Sequence, residues 1–219
     1  RTIWIPLSED YTFQSPSDDH ENYVNNEALH DSCGKGLNWK WIDLHGGQSL
    51  SVFEPAGLII KSYIHCYIGL KPQVLACISS NLQGINTILI YFLARRISKQ
   101  NSSASDLTIY NSLHCKLLTF AICALNSLHP IQSEILCWMS CITYIFALFF
   151  ILIGLHTYVY IIQSSSQFSM SAPTFWQSLK FVACSILIVL SFSASFFSKT
   201  ATIMVPVYLI WLHLSGILV

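Results

Sequence analysis

Asp18 and Asp19 are adjacent carboxylates within an early polar stretch of the chain. A carboxylate can act as a general base, accepting the proton of a hydroxyl group while the hydroxyl oxygen attacks an electrophile. Two neighbouring carboxylates also suit a site in which one is the base and the other holds a polar substrate. The same pair is typical of a solvated turn, so its meaning depends on the other polar residues of the chain.

A second polar group follows at His129-Pro130-Ile131-Gln132-Ser133-Glu134. Proline suits the first turn of a helix, where its missing N–H is not needed, and Ser133 and Glu134 are then ordinary residues near a helix start. An ionised Glu134 at the start of a long apolar segment nevertheless requires a partner. His129 and Lys199 are the two candidates.

Lys199 stands alone between two apolar runs, residues 181–198 and 200–219. One interpretation is an anchor at the membrane interface, since a lysine can extend its ammonium group towards water. The other is a binding role, in which the ammonium neutralises the phosphate of a lipid-linked substrate. Ser198 and Thr200 would then supply hydroxyl donors beside it.

The composition indicates that a membrane protein must position these residues. The chain of 219 residues is 53% hydrophobic and 10% charged, whereas soluble domains carry about 25% charged residues. The formal net charge is zero, which gives no reason to expect a nucleic-acid partner. Eight cysteines form no Cys-x-x-Cys pair, so we expect small buried apolar side chains rather than a metal site. We expect no cofactor either.

The apolar runs divide the chain into two parts and predict an all-α polytopic membrane helix bundle. Residues 1–71 form a long hydrophilic first loop, and its last segment, Phe53–Leu70, is expected to be a helix lying on the membrane surface. Residues 72–219 form a transmembrane bundle. Five spans are expected: Pro72–Ala94, Tyr110–Leu128, Ile135–Ile162, Phe181–Ser198 and Thr200–Val219. Because the sequence starts at Arg1 and ends within an apolar run, we expect a fragment with one helix missing before it and more chain after it.

Lysine and arginine residues in the short linkers predict the orientation of this bundle. Arg95, Arg96, Lys99 and Lys116 flank one linker and Lys180 flanks another, and the positive-inside rule makes such linkers cytoplasmic. Alternation of spans then places the acidic first loop, the turn at residues 129–134 and Lys199 together on the opposite side. The expected site therefore lies at the non-cytosolic rim of the membrane.

The order of these motifs resembles a known family. Asp18-Asp19, Tyr23-Val24-Asn25-Asn26, Phe53-Glu54-Pro55, Phe92-Leu93-Ala94-Arg95-Arg96, Ala124-Leu125 with His129–Glu134, and Ser198-Lys199-Thr200 with Pro206 follow one another along the chain. This order is similar to that of the transmembrane and tetratricopeptide-repeat-containing O-mannosyltransferases, which belong to the GT-C class of polytopic glycosyltransferases. The chain departs from the family pattern at Ser17, where an aromatic residue is usual, and at Glu54, where an arginine is common. The stretch Gly34–Gln48 is an addition, and the repeats that follow the family's membrane domain are absent.

The resemblance implies transfer of a sugar, mannose in eukaryotic members, from a dolichyl-phosphate or related polyprenyl-phosphate carrier to Ser or Thr of an acceptor protein. Asp18 would be the base, supported by Asp19. His129, Glu134, Lys199 and Thr200 would bind substrate, with Lys199 on the donor phosphate. The expected location is the endoplasmic reticulum membrane, or a bacterial inner membrane. Two other functions stay open: a transporter or channel subunit in which Glu134 and Lys199 form a buried ion pair, and a non-catalytic membrane scaffold.

Overall fold

The computed structural model describes Tyr23, Leu29 and residues 54–69, 71–102, 108–165 and 175–214. The expected catalytic residues Asp18 and Asp19 lie outside these residues. Every regular element in the described part is helical, which confirms the all-α class. The helices are α1 (Pro55–Ile68), α2 (Pro72–Ser102), α3 (Thr108–Leu128), α4 (Pro130–Cys137), α5 (Ile142–Ser165), α6 (Phe175–Ser198) and α7 (Met204–Leu214), with 3₁₀ turns at Met139–Cys141 and Thr200–Ile203.

Prolines mark the beginnings of three of these helices. Pro55, Pro72 and Pro130 are the first residues of α1, α2 and α4, the position at which the fixed backbone of proline suits a helix and its missing N–H costs nothing. Gly69, with a φ of 90°, ends α1, because glycine adopts this left-handed conformation without the penalty other residues incur. The linker between α1 and α2 is therefore set locally by sequence.

Three helices in the described part are long and apolar enough to cross a membrane, at Pro72–Ile97, Met139–Ser164 and Phe175–Ser198. They support a multi-pass membrane protein. The other two predicted spans are not among these three helices: the apolar part of α3 is Lys116–Leu128, and 11 residues of α7 are described.

The predicted span Ile135–Ile162 is interrupted near its start. Helix α4 ends at Cys137, Trp138 is extended with φ −94° and ψ 110°, and a 3₁₀ turn at Met139–Cys141 precedes α5. Apolar composition indicates burial but not the path of the backbone, so this break could not be predicted from hydropathy. The Met139 carbonyl at this turn accepts a hydrogen bond from Tyr23 Oη at 2.7 Å.

Helix α5 is the centre of the bundle and packs against both α2 and α6, while α3 packs against α2. Buried polar side chains bond to backbone carbonyls across these contacts. Asn86 Nδ2 donates to the Ile145 carbonyl at 3.0 Å, and Ser195 Oγ donates to the Ala147 carbonyl at 3.0 Å. Small and polar residues at helix contacts are typical of membrane bundles, where apolar surface alone does not drive helices together.

An apolar cluster lies at the end of the bundle where α2 and α5 begin. It contains Tyr23, Leu29, Ile64, Leu75, Met139 and Ile142, each at most 7% exposed. The cluster joins α1 and two residues of the first polar segment to the transmembrane helices. A helix was predicted within Phe53–Leu70, and one is present at Pro55–Ile68; its Ile64 packs into this core.

Candidate functional site

An ion pair between Glu54 and Lys199 forms the charged centre of this end of the bundle. Lys199 Nζ lies 2.5 Å from Glu54 Oε1, and the two side chains are 18% and 17% exposed. Glu54 immediately precedes α1, and Lys199 immediately follows α6. Helix α6 stops there because Lys199 takes an extended conformation, with φ −154° and ψ 118°. The pair therefore joins the start of α1 to the end of a membrane-length helix.

The aromatic ring of Tyr144 also lies against the Lys199 ammonium group. The centroid of its ring lies 4.2 Å from Lys199 Nζ, within the range of a cation–π interaction. Burial alone would lower the pKa of Lys199, but the Glu54 carboxylate, with a contribution from the Tyr144 hydroxyl, outweighs burial and raises this pKa above its ordinary value. Lys199 is therefore a permanent cation at neutral pH.

Close packing of Gly57 holds Glu54 in place. A Cβ atom at Gly57 would lie 2.6 Å from Thr143 Cγ2 and 3.5 Å from the Ser198 carbonyl oxygen. Helix α1 thus approaches α5 and α6 as closely as a residue without a side chain permits. Gly57 lies one helical turn after Glu54, so this contact sets the distance over which Glu54 reaches Lys199.

The first polar segment is attached to the same end of the bundle through Tyr23. This side chain is fully buried, bonds to the Met139 carbonyl, and has Lys61 Nζ 5.1 Å from the centroid of its ring. Lys61 itself is 6% exposed. Residues 139–144 therefore contact both Tyr23 and Lys199. The first polar segment and Lys199, which were expected to lie at the same end of the bundle, are thus attached to one short stretch of the chain.

The remaining predicted site residues are placed as follows. His129 is exposed at the end of α3, with its N–H bonded to the Leu125 carbonyl at 3.1 Å. Glu134 lies in α4, but its side chain is outside the described part of the structure, as are Asp18 and Asp19. Thr200 is half-buried in the 3₁₀ turn after Lys199.

Sequence reasoning missed Glu54 as a site residue. We expected Glu134 or a substrate phosphate beside Lys199, and treated Glu54 only as a departure from a family motif. The structure shows Glu54 as a partner of Lys199. A usable signal was present, since Glu54 is the last acidic residue of the polar segment and directly precedes a helix that begins with Pro55.

The expectation that the cysteines are buried apolar thiols is wrong for Cys66, which is disulfide-bonded. Five other described cysteines are free thiols: Cys77 and Cys137, which are exposed and so also contradict this expectation, and Cys123, Cys141 and Cys184. Disulfides form in oxidising compartments such as the lumen of the endoplasmic reticulum or the bacterial periplasm. A disulfide at α1 therefore agrees with the predicted non-cytosolic position of this end of the bundle.

The basic residues that predict the cytoplasmic side lie at the other end of the helices. Arg96 is near the end of α2, and its Nε donates to Gln163 Oε1 at the end of α5 at 2.6 Å. Lys180 is near the start of α6, whereas Lys199 follows the last residue of that helix. The charged side chains are thus divided between two ends, with the apolar middle of the bundle between them.

Within the described residues, no group of three or more His, Cys, Asp or Glu side chains could hold a metal ion. No known protein family matches the chain, and neither a curated protein nor a solved structure is similar to it. The three membrane-length helices of the described part define the class of protein as a multi-pass helical membrane protein.

Proposed function

We propose that this chain carries a glycosyltransferase site that moves a sugar from a dolichyl- or polyprenyl-phosphate donor to Ser or Thr hydroxyls of a protein. The resemblance suggests mannose as the sugar and the endoplasmic reticulum membrane as the location. The observation that carries the proposal is the position of Lys199, a cation at the end of a membrane-length helix, held by Glu54 and Tyr144. A lipid-linked phosphate would be presented at the same depth.

Lys199 would compensate the charge of the leaving phosphate. An ammonium group has three N–H donors, so pairing with one oxygen of Glu54 does not use its full capacity. The hydroxyl of Thr200, one residue further, would supply a neutral donor. Fixed donors aimed at developing negative charge lower the barrier of such a transfer, because they need no reorganisation when the charge appears.

Asp18 would act as the base on the acceptor hydroxyl, with Asp19 in support, and His129 and Glu134 would bind substrate. The buried position of Tyr23 supports a role for the acidic pair at this end of the bundle. Asp19 precedes Tyr23 by four residues in the sequence, a separation that an extended chain covers in about 14 Å. This short separation from the anchor at Tyr23 supports the proposed role of the acidic pair at this end.

The test is a transfer assay with the purified protein in detergent, using dolichyl-phosphate mannose and a peptide rich in Ser and Thr. Asp18→Asn is expected to abolish transfer while donor binding persists. Lys199→Gln is expected to raise the KM for the donor about tenfold or more, as loss of a charge-assisted contact does. Lys71→Gln, which removes an exposed lysine at the start of α2, is the matched control. Full activity of the Asp18→Asn protein would refute the proposal.

A non-catalytic membrane scaffold is the second candidate, and the Glu54–Lys199 pair itself favours it. The carboxylate of Glu54 already neutralises Lys199, and Gly57 packs tightly beside this pair. Both contacts suit a purely structural attachment of α1 to α6. Under this alternative, Lys199→Gln lowers stability, and the unaltered protein transfers no sugar from any lipid-phosphate donor.

A further inference from the structure

A second group of cations lies at the end of the bundle opposite to Lys199. Arg96 of α2 and Lys180 of α6 both contact Tyr160 of α5: the centroid of its ring lies 5.3 Å from Arg96 Cζ and 4.9 Å from Lys180 Nζ. Arg96 also donates to the Gln163 side chain. Two membrane-length helices, α2 and α6, therefore each bring one positive charge to an aromatic ring of the third, α5.

A cavity of about 410 Å³ opens beside this ring, between α5 and α6. Its lining includes hydroxyl, amide, ammonium and apolar groups, contributed by Tyr160, Ser164, Gln177, Lys180, Phe181 and Cys184. Ligand pockets have volumes from about 300 to 1,000 Å³, so this cavity has room for a small polar headgroup. The mixture of polar and apolar lining suits a ligand with both characters.

The charged residues of the helices that form this region are all basic. Residues 55–105 and 135–219 contain no Asp or Glu, so α2, α5 and α6 bring no carboxylate to Arg96 and Lys180. The bonding partner of Arg96 in the structure, Gln163, is neutral. Lys180 lines the cavity, Arg96 lies over the same Tyr160 ring, and none of these three helices carries a carboxylate, so the site favours an anionic ligand.

The depth of the site relative to the membrane identifies the kind of anion. Arg96 lies at the end of the span Pro72–Ile97, and Lys180 lies near the start of the span Phe175–Ser198. Phe175 and Trp176, each 74% exposed, precede Lys180 and suit the headgroup zone, where aromatic rings collect. The positive-inside rule faces this end towards the cytoplasmic leaflet, which is rich in anionic lipids.

We propose that the pocket between α5 and α6 binds the phosphate headgroup of an anionic phospholipid. Arg96 and Lys180 neutralise the phosphate, and Ser164, Gln177 and the Tyr160 hydroxyl hydrogen-bond to the headgroup. Phe181 and the apolar surface of α6 contact the first part of the acyl chains. This site is separate from the Lys199 site and does not depend on the proposed transfer reaction.

The experiment measures lipid binding by native mass spectrometry of the purified chain released from detergent micelles. Dioleoyl phosphatidylglycerol is compared with dioleoyl phosphatidylcholine, which has the same acyl chains and no net charge. We expect phosphatidylglycerol to bind at least about tenfold more tightly, and Lys180→Gln and Arg96→Gln each to weaken it about tenfold, as for loss of a charge-assisted contact. Lys180→Arg keeps the charge and is expected to retain binding, which separates loss of the site from loss of folding.

Arg95→Gln is the matched control. Arg95 carries the same charge one residue away, but its Nη1 donates at 3.3 Å to Tyr91 Oη of its own helix rather than contacting Tyr160. Its replacement is expected to leave phosphatidylglycerol binding unchanged. Equal binding of the two lipids, or an equal loss in the Arg95→Gln and Lys180→Gln proteins, would overturn the proposal. Displacement of phosphatidylglycerol by an equal concentration of inorganic phosphate would also overturn it, because it would indicate a site for a soluble anion.

Discussion

Lys199 and Glu54 form an ion pair although Lys199 directly follows α6 and Glu54 directly precedes α1, far apart in the sequence. The contact ties α1 to the end of α6, and Tyr144 of α5 lies against the same ammonium group. Three helices therefore depend on one pair of charges that is less than one-fifth exposed.

Replacing either member of the pair should destabilise the protein. Glu54→Gln leaves Lys199 as a half-buried cation without its carboxylate, and Lys199→Gln does the reverse. Breaking a fully buried pair costs about 3–5 kcal/mol and breaking an exposed pair about 0–1 kcal/mol. We expect about 1–3 kcal/mol for this partly buried pair, measured as the shift of the unfolding midpoint in detergent.

The double variant Glu54→Gln with Lys199→Gln should lose less stability than the sum of the single losses, because no uncompensated charge is left. Lys71→Gln, at an exposed lysine, should leave the midpoint unchanged. Strict additivity of the two single variants would show that the pair contributes no coupling.

The pair should resist alkaline pH. The pKa of Lys199 is raised in the folded protein, since Glu54 and Tyr144 outweigh the effect of burial. A raised pKa means that the stabilisation is fully present below the ordinary lysine pKa of about 10.4 and is lost as pH rises through the higher folded value. The stability difference between the unaltered and Lys199→Gln proteins should stay constant from about pH 7 to 9 and shrink only above about pH 10.4. A difference that falls between pH 7 and 9 would contradict this.

Gly57→Ala should weaken the attachment of α1. The new Cβ would lie 2.6 Å from Thr143 Cγ2, and such overpacking costs about 1–3 kcal/mol, against a gain of about 1 kcal/mol in helix propensity. Combination with Thr143→Ser, which removes that methyl group and keeps the hydroxyl, should restore the unfolding midpoint. Gly84→Ala is the control, because nothing lies within 4 Å of a Cβ atom there. A Gly57→Ala protein as stable as the Gly84→Ala protein would show that α1 does not pack this closely.

Asn86→Ala should loosen the contact between α2 and α5. Asn86 is fully buried and donates across the helix contact to the Ile145 carbonyl. Interhelical hydrogen bonds of this kind contribute about 0.6 kcal/mol on average in membrane proteins, with a maximum near 1.7 kcal/mol. Asn81→Ala serves as the comparison, since Asn81 is exposed and bonds to the Cys77 carbonyl of its own helix. Thermal unfolding in detergent should rank Asn86→Ala below Asn81→Ala, and the opposite order would argue against this packing.

The disulfide at Cys66 and the side of the membrane that each charged end faces can both be tested. Non-reducing electrophoresis should show a faster-migrating form that disappears in the Cys66→Ser protein, together with a loss of about 2–4 kcal/mol in stability. In sealed membrane vesicles, an impermeant maleimide should label Lys71→Cys and Gln177→Cys from opposite sides, in a background without free cysteines. Labelling of both positions from the same side would refute the opposite placement of the two charged ends.

Much of the fold could be predicted because it depends on local properties. The apolar runs at residues 72–94 and 181–198 predicted two of the spans within a few residues, and Pro55, Pro72 and Pro130 marked helix starts. The break at Trp138 could not be predicted, because an extended residue inside an apolar run leaves no mark in hydropathy. Glu54 was missed for a similar reason: its importance comes from a residue at the far end of the chain.

The sequence by itself determined a helical membrane protein with its acidic residues at the front, an isolated Lys199, and basic residues at alternate linkers. These are consequences of transfer free energies and of charge counts, which need no knowledge of contacts. Only the tertiary structure decided that Lys199 meets Glu54, that Gly57 lies against Thr143, and that Arg96 and Lys180 share Tyr160. Such pairings depend on how helices pack side by side, and packing brings together residues whose separation along the chain carries no signal of contact.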